Sequence, residues 1–494
     1  MNLLWMILTL VNLHVTFINC NCPVNCVCPF NDLIKSVTCT HSIPKKLPFN
    51  TTELLVTRGR KLILQSEDTR KLGQLEKFQL IHLFIENITD GTFQVNNFLH
   101  LSTLRLSYNN IRQITSKTFE GLENLKELYL DNNNMRFITI DAFITLRSLK
   151  ILHLQRNYLE EIPKPLPNKL ETLELNDNNI ESITLLNENL SFLKELNLCG
   201  NKYKSILNKD IDKLYNLQTV CLGDEVSNVH PQVFALMPQL KALKITGKKN
   251  PTPQTFQGFP FLTQLETLSI NYLPITIFDV NFGAWKNLKY FYFNNIKTLV
   301  YINKNVFESF AKNIELADLS GSTMFVNSLF SKDLLKYLIN VKTLNLANTG
   351  ITTIPDLKMK WLPNLQQLDI SNNPLICDCN VQWLANAKKQ HNLEIDYYSE
   401  TKCAKPNSLS GKIIFDKEVQ QTICVVDDKK NKTNEETYIS DKLKTEKLHQ
   451  ETKINVLISF VILLAILVIV LIVTIIILLI KYRYPNNHFL PERK

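Results

Sequence analysis

One periodic phrase constrains this chain more than any other feature. From Leu101 it reads L-x-x-L-x-L-x-x-N, with Leu104 and Leu106 as the later leucines and Asn109 at the ninth place. It returns at Leu125, Leu149, Leu170 and Leu193, ending on Asn133, Asn157, Asn178 and Asn201, and once more from Leu365 to Asn373. Looser copies begin at Leu75, Leu217, Leu240, Leu265, Leu288, Ile314 and Val341. The interval runs from 21 residues, Leu149 to Leu170, up to 27, Ile314 to Val341. Self-similarity at such a period means that small units stack and bury a core shared between neighbours.

The spacing sends the first, fourth and sixth residues of each copy inward and the fifth outward, as alternation on a strand requires. Each copy therefore supplies one short parallel strand. At the ninth place an Asn amide, donor and acceptor together, can satisfy backbone groups left open where the chain turns. Between strands, Phe119, Leu122 and Leu125 recur as Phe143, Leu146, Leu149 and as Phe282, Trp285, Leu288, an outer aromatic layer of the core. A heptad pattern would need apolar residues about every 3.5 positions without breaks, and the Asn-rich turns interrupt that. The expected fold is an α/β repeat solenoid, a leucine-rich repeat horseshoe with a concave parallel sheet, disulfide caps at both ends and one transmembrane helix. From Leu217 onward the ninth place holds Glu225, Lys248, Leu273, Ile296, Ser322 and Thr349, so the Asn ladder is expected to break there.

Two cysteine clusters bracket the repeats, where a bare core would otherwise meet water. The first is Cys22-Pro23, Cys26, Cys28 and Cys39; the second is Cys377-Asp378-Cys379 with Trp383-Leu384, then Cys403 and Cys424. Neither carries the His spacing of a zinc site. With these motifs the chain resembles animal extracellular leucine-rich repeat transmembrane receptors, similar to Toll-like receptor ectodomains without the intracellular Toll-type domain. The resemblance implies the pairs Cys22 with Cys28, Cys26 with Cys39, Cys377 with Cys403 and Cys379 with Cys424. Cys199 and Cys221 fall on the outward face of adjacent strands; the diagonal of about 7 to 8 Å between such positions is at the limit for a disulfide, so their pairing stays open.

Residues 1–20 are apolar and read as a signal peptide. Residues 454–480 are uncharged and long enough for a transmembrane helix, followed by Lys481 and Arg483 on the expected cytoplasmic side. The expected order is signal 1–20, N-terminal cysteine cap 21–50, repeats 51–374, C-terminal cap 375–424, stalk 425–453, span 454–480 and cytoplasmic tail 481–494. That is a single-pass type I plasma-membrane protein. The stalk is dense in charge of both signs and cannot bury a core. Asn50, Asn87, Asn189 and Asn431 head N-x-S/T sequons.

The net charge of +9 is scattered, with no stripe suited to phosphate, so nucleic acid is not an expected partner. No set of nucleophile, base and acid recurs at fixed spacing, so no enzyme, cofactor or metal is expected. Binding is. Thirteen stacked strands give an inner arc of roughly 60 Å, room for an extracellular protein or glycan ligand. The candidates are Tyr272, Tyr290 and Tyr292, with Arg105, Tyr129 and His153 as a second group, because exposed aromatic and Arg side chains dominate interface energy. The expected role is receptor, co-receptor or decoy in innate recognition or signalling, working with a co-receptor or as a homodimer; cell-cell adhesion is the alternative.

Overall fold

A computed structural model of the chain describes residues 22–28, 35–94, 98–184, 190–223, 226, 228–230, 232–247, 262–273, 275, 277–278, 285–299, 301–384, 387 and 392–423. The chain divides into two compact units, Met1–Asp416 and Lys417–Lys494. In the second, the helix Lys417–Ile423 is the described part. The expected signal peptide and membrane span lie outside the described residues, among which no helix is long and apolar enough to cross a membrane.

Among the described residues of the first unit, 17 strands form one sheet. Cys26–Val27 runs antiparallel to Ser36–Thr40, and every later neighbour is parallel and follows in chain order, from Glu53–Thr57 to Glu394–Ile395. The sheet is longer than the thirteen expected strands. The leucine phrase is absent from Ser36–Thr40 and Glu394–Ile395, and at Glu53–Thr57 it is blurred because a buried Thr51 stands in the first place before Leu54 and Val56. Each cap thus continues the sheet.

The inward places are filled as the spacing requires. Leu125, Leu128 and Leu130 are fully buried, and so are Leu288, Phe291 and Phe293 in a looser copy. Burying one such side chain stabilises by roughly 1.5 to 3 kcal/mol, and neighbouring repeats share the gain. Behind the sheet, Phe93, Phe119 and Phe143 stack at centroid distances of 6.3 and 6.2 Å. The outer side is mostly loops and paired two-residue strands, such as Gln113–Ile114 beside Phe137–Ile138. Helix is sparse for an α/β class. Lys304–Ala311 and Thr323–Ser331 are the longer pieces in this unit, and the second accommodates the extra residues of the widest interval.

The Asn ladder is explicit. Asn133 Oδ1 accepts from Ile111 N–H (3.0 Å), while its Nδ2 donates to Leu106 O and Leu130 O (3.0 Å each), binding one repeat to the one before. Asn109, Asn157, Asn178, Asn201 and Asn373 repeat this arrangement. Where Asn is missing, other groups serve. Ser322 Oγ donates to Phe293 O and accepts from Ile296 N–H, and Tyr203 Oη accepts from Gly223 N–H. Leu273 and Ile296 simply join the core. In this stretch the strands from Thr219–Gly223 through Tyr290–Asn294 run to five residues, against three in Glu127–Tyr129 through Glu195–Asn197.

Cys22–Cys28 and Cys26–Cys39 close the first cap and Cys377–Cys403 the second, where Trp383 Nε1 donates to Ile354 O. The partner proposed for Cys379, Cys424, lies outside the described residues. Cys199 and Cys221 are bonded, with Cα atoms 5.5 Å apart, closer than a regular diagonal. Gly200, at φ +71, makes the same left-handed turn as the eighth places Asn132, Arg156 and Asp177, and its N–H donates to Gly223 O as theirs do to the next repeat.

Candidate functional site

The register aligns the fifth-place residues Arg105, Tyr129, His153, Glu174, Asn197 and Cys221 side by side on the outward face of the sheet. Three of them are in contact, the His153 ring tilted by 53° to that of Tyr129. The Arg105 guanidinium lies 4.0 Å from the Tyr129 ring centroid, and that ring is 4.6 Å from the His153 ring. Cation–π and aromatic contacts of this kind hold long side chains in one arrangement before any partner arrives.

Third- and seventh-place neighbours brace the cluster. Tyr129 Oη donates to Glu127 (3.2 Å), which also accepts from Thr103 Oγ1 (3.2 Å). Asp131 is buried and accepts from Ser107 Oγ and Asn132 Nδ2. Gln155 Nε2 meets His153 Nδ1 at 3.2 Å, while Gln155 Oε1 is shut from water without a donor. Burial holds the His153 ring below the usual imidazole range, with Asp131 acting weakly the other way. Burial and the nearby Glu127 raise the Tyr129 hydroxyl. Burial also pushes the Glu174 carboxyl above its ordinary value, against the Asn197 amide that donates to it. Desolvated polar groups on an otherwise open surface are a feature of binding sites.

The other candidate group is spread out. Tyr290 and Tyr292 share the strand Tyr290–Asn294, and burial raises the Tyr292 hydroxyl with help from Asp318. Tyr272 instead sits in the turn after the preceding strand at φ +55, level with Asn295 rather than Tyr290. At about 3.3 Å per residue it lies roughly 16 Å along the strand direction from Tyr290, at the opposite margin of the face. Glu127, Asp131, Gln155 and the tilted ring pair His82 and Tyr108, with centroids 4.8 Å apart, were not among the expected site residues. Alternation at the third and seventh places points to the first three; the turn conformations of His82 and Tyr108 leave no pattern in sequence. Of the sequons, Asn50 and Asn87 are exposed, and Asn189 and Asn431 lie outside the described residues.

A family model for the leucine rich repeat matches residues 99–159, and a model for two copies of the repeat matches 339–386. Over these two stretches the chain matches leucine-rich repeats. Mouse nephrocan is 33% identical over 111 residues, which is 22% of this chain and 21% of nephrocan. Among solved structures, a leucine-rich repeat protein of Leptospira interrogans aligns at TM-score 0.52 and 23% identity over 73% of this chain and 95% of its own. The Drosophila Toll–Spatzle complex aligns at 0.51 and 16% identity over 76% of this chain and 59% of that one. The chain therefore spans about a fifth of nephrocan and under two thirds of the Toll-complex chain, and these likenesses carry the fold. Stacked repeats create extended concave surfaces, and disulfides such as these form and persist in oxidising environments, the extracellular space among them.

Proposed function

We propose that this protein is a cell-surface receptor, co-receptor or decoy, held by a span at residues 454–480, that captures an extracellular protein on the outward sheet face around Arg105, Tyr129 and His153. The observation that carries this is the contact cluster itself. Three side chains that cost conformational entropy to order are already fixed on an open surface, and Tyr and Arg are the residues that dominate interface energies. The Drosophila Toll chain, whose solved complex holds Spatzle, lends the reading a parallel in which the same fold holds a protein. The cap disulfides agree with an extracellular position. A role in innate recognition or signalling rests on that parallel.

The test is a binding screen of the full-length chain on transfected cells against a library of secreted and membrane proteins. A protein ligand found there should lose at least tenfold in affinity on Tyr129→Ser or His153→Ser and keep it on Tyr292→Ser. Loss on Tyr292→Ser alone would place the site on the other half of the sheet.

A further inference from the structure

Two exposed apolar groups at the start of the solenoid share a neighbour of one kind. Phe49 is 95% exposed at the centre of a turn closed by Thr51 N–H donating to Pro48 O (3.1 Å). The other central residue of that turn is Asn50, which heads the sequon Asn50-Thr51-Thr52. On the outer side, Ile63–Leu64 runs parallel to Asn87–Ile88, and Ile63 stands level with Asn87, the head of Asn87-Ile88-Thr89. Ile63 and Asn87 are exposed while Leu64 and Ile88 are buried, so both side chains leave the same side of the pair, on strands about 4.8 Å apart. Leu62, whose carbonyl accepts from Asn87 N–H (3.2 Å), and Phe84 in the preceding turn enlarge the group. Leu62, Ile63 and Phe84 are 43% to 54% exposed.

Apolar side chains exposed singly are ordinary on a protein surface. What sets these apart is that, among the described residues, both asparagines that head sequons stand against one. The first sugar of an amide-linked glycan is a pyranose with a C–H face and an acetyl methyl beside its hydroxyls. That face suits a phenyl ring or an aliphatic side chain, and the hydroxyls beyond it return the surface to water. Covalent attachment keeps the sugar at high effective concentration, so weak contacts suffice to hold it there. A protein docking on the same side chains would have to displace a group tethered among them.

We infer that Asn50 and Asn87 carry glycans whose first sugars cover Phe49 and the group Leu62, Ile63 and Phe84. These glycans close both places to protein partners and leave the outward sheet face open. In each link the carboxamide nitrogen bonds to C1 of the first N-acetylglucosamine, the bond from C1 to the diphosphate of a lipid-linked donor breaks, and the amide proton leaves with the diphosphate. The step requires entry into the secretory pathway, as the cell-surface reading above does.

The test uses the full-length chain recovered from the surface of cultured animal cells in mild detergent. Peptide mass should find glycan on both asparagines. A glycan amidase acting on the folded chain should release both slowly. Release at Asn50 should speed up severalfold on Phe49→Ser, and release at Asn87 on Leu62→Ser with Ile63→Ser. Phe137→Ser is the control, because Phe137 is exposed and level with Gln113 in a pair of the same kind but has no sequon beside it; it should change neither rate. Release rates indifferent to the serine variants, or changed as much by Phe137→Ser, overturn the inference. A screened protein ligand that loses affinity on Ile63→Ser in the glycosylated chain makes this place a docking surface and overturns it too. Bare asparagines on chain taken from the cell surface refute the glycans and leave the cell-surface reading standing; bare asparagines on a chain that never reaches the surface refute both.

Discussion

Asn133→Ala should be among the most destabilising polar substitutions in the solenoid. The Asn133 amide accepts from Ile111 N–H and donates to Leu106 O and Leu130 O, all at 3.0 Å, and the residue is 4% exposed. Alanine orphans the Ile111 N–H, while Leu106 O keeps Asn109 Nδ2 and Leu130 O keeps Asn157 Nδ2. Net loss of about 1 kcal/mol per hydrogen bond sets the expected cost near 3 kcal/mol. Asn133→Ser should cost less, because Ser322 shows a hydroxyl at this place accepting one N–H and donating to one carbonyl. Denaturant unfolding of the full chain gives the order, and amide exchange gives the locus. Ile111 N–H should exchange much faster in Asn133→Ala, while Leu130 N–H, which donates to His153 O, should change less. A cost under about 1 kcal/mol with Ile111 still protected would refute the ladder as a source of stability.

Leu128→Asp puts an unpaired charge into the core at a cost of several kcal/mol and should be retained in the secretory pathway, whereas Tyr129→Asp, one residue on and facing outward, should be exported; equal export in a trafficking assay would contradict the register. Reductant should lower the melting temperature by opening Cys22–Cys28, Cys26–Cys39 and Cys377–Cys403; an unchanged melting curve counts against them as stabilising links. The folded His153 ring takes up a proton less readily than the ordinary value of 6.5, so the unfolded chain binds more protons there and stability falls as pH drops through that value. His153→Gln should flatten that part of the stability profile. Glu174 has the opposite sign: its raised carboxyl binds protons better when folded, so its cost is relieved as pH falls toward 4.5 and Glu174→Gln removes that dependence.

The repeat register was legible because each leucine has one geometric role: Leu101, Leu104 and Leu106 are buried as their spacing dictates. Asn109 at the ninth place was equally readable, since only an amide both donates and accepts there. Glu53–Thr57 escaped because a buried Thr replaced the leading leucine. The Cys199–Cys221 bond could not be decided from register, since the regular diagonal falls at the limit for a disulfide, whereas the Cα atoms here lie 5.5 Å apart. The fifth-place column predicted that Arg105, Tyr129 and His153 share a face. It did not reveal their contact, nor that Tyr272, counted from its repeat, belongs to the turn rather than the strand.

The Cys199–Cys221 link falls where the Asn-bearing repeats, ending at Asn201, give way to those that lack Asn. A chain whose units hold only their neighbours can tear from either end, each opened unit exposing the next. At this seam a covalent tie crosses between the two adjoining rows, so a tear entering from either side meets a bond that thermal motion does not open. The rows bearing Arg105, Tyr129 and His153 therefore end at a closed seam rather than at a row free to peel.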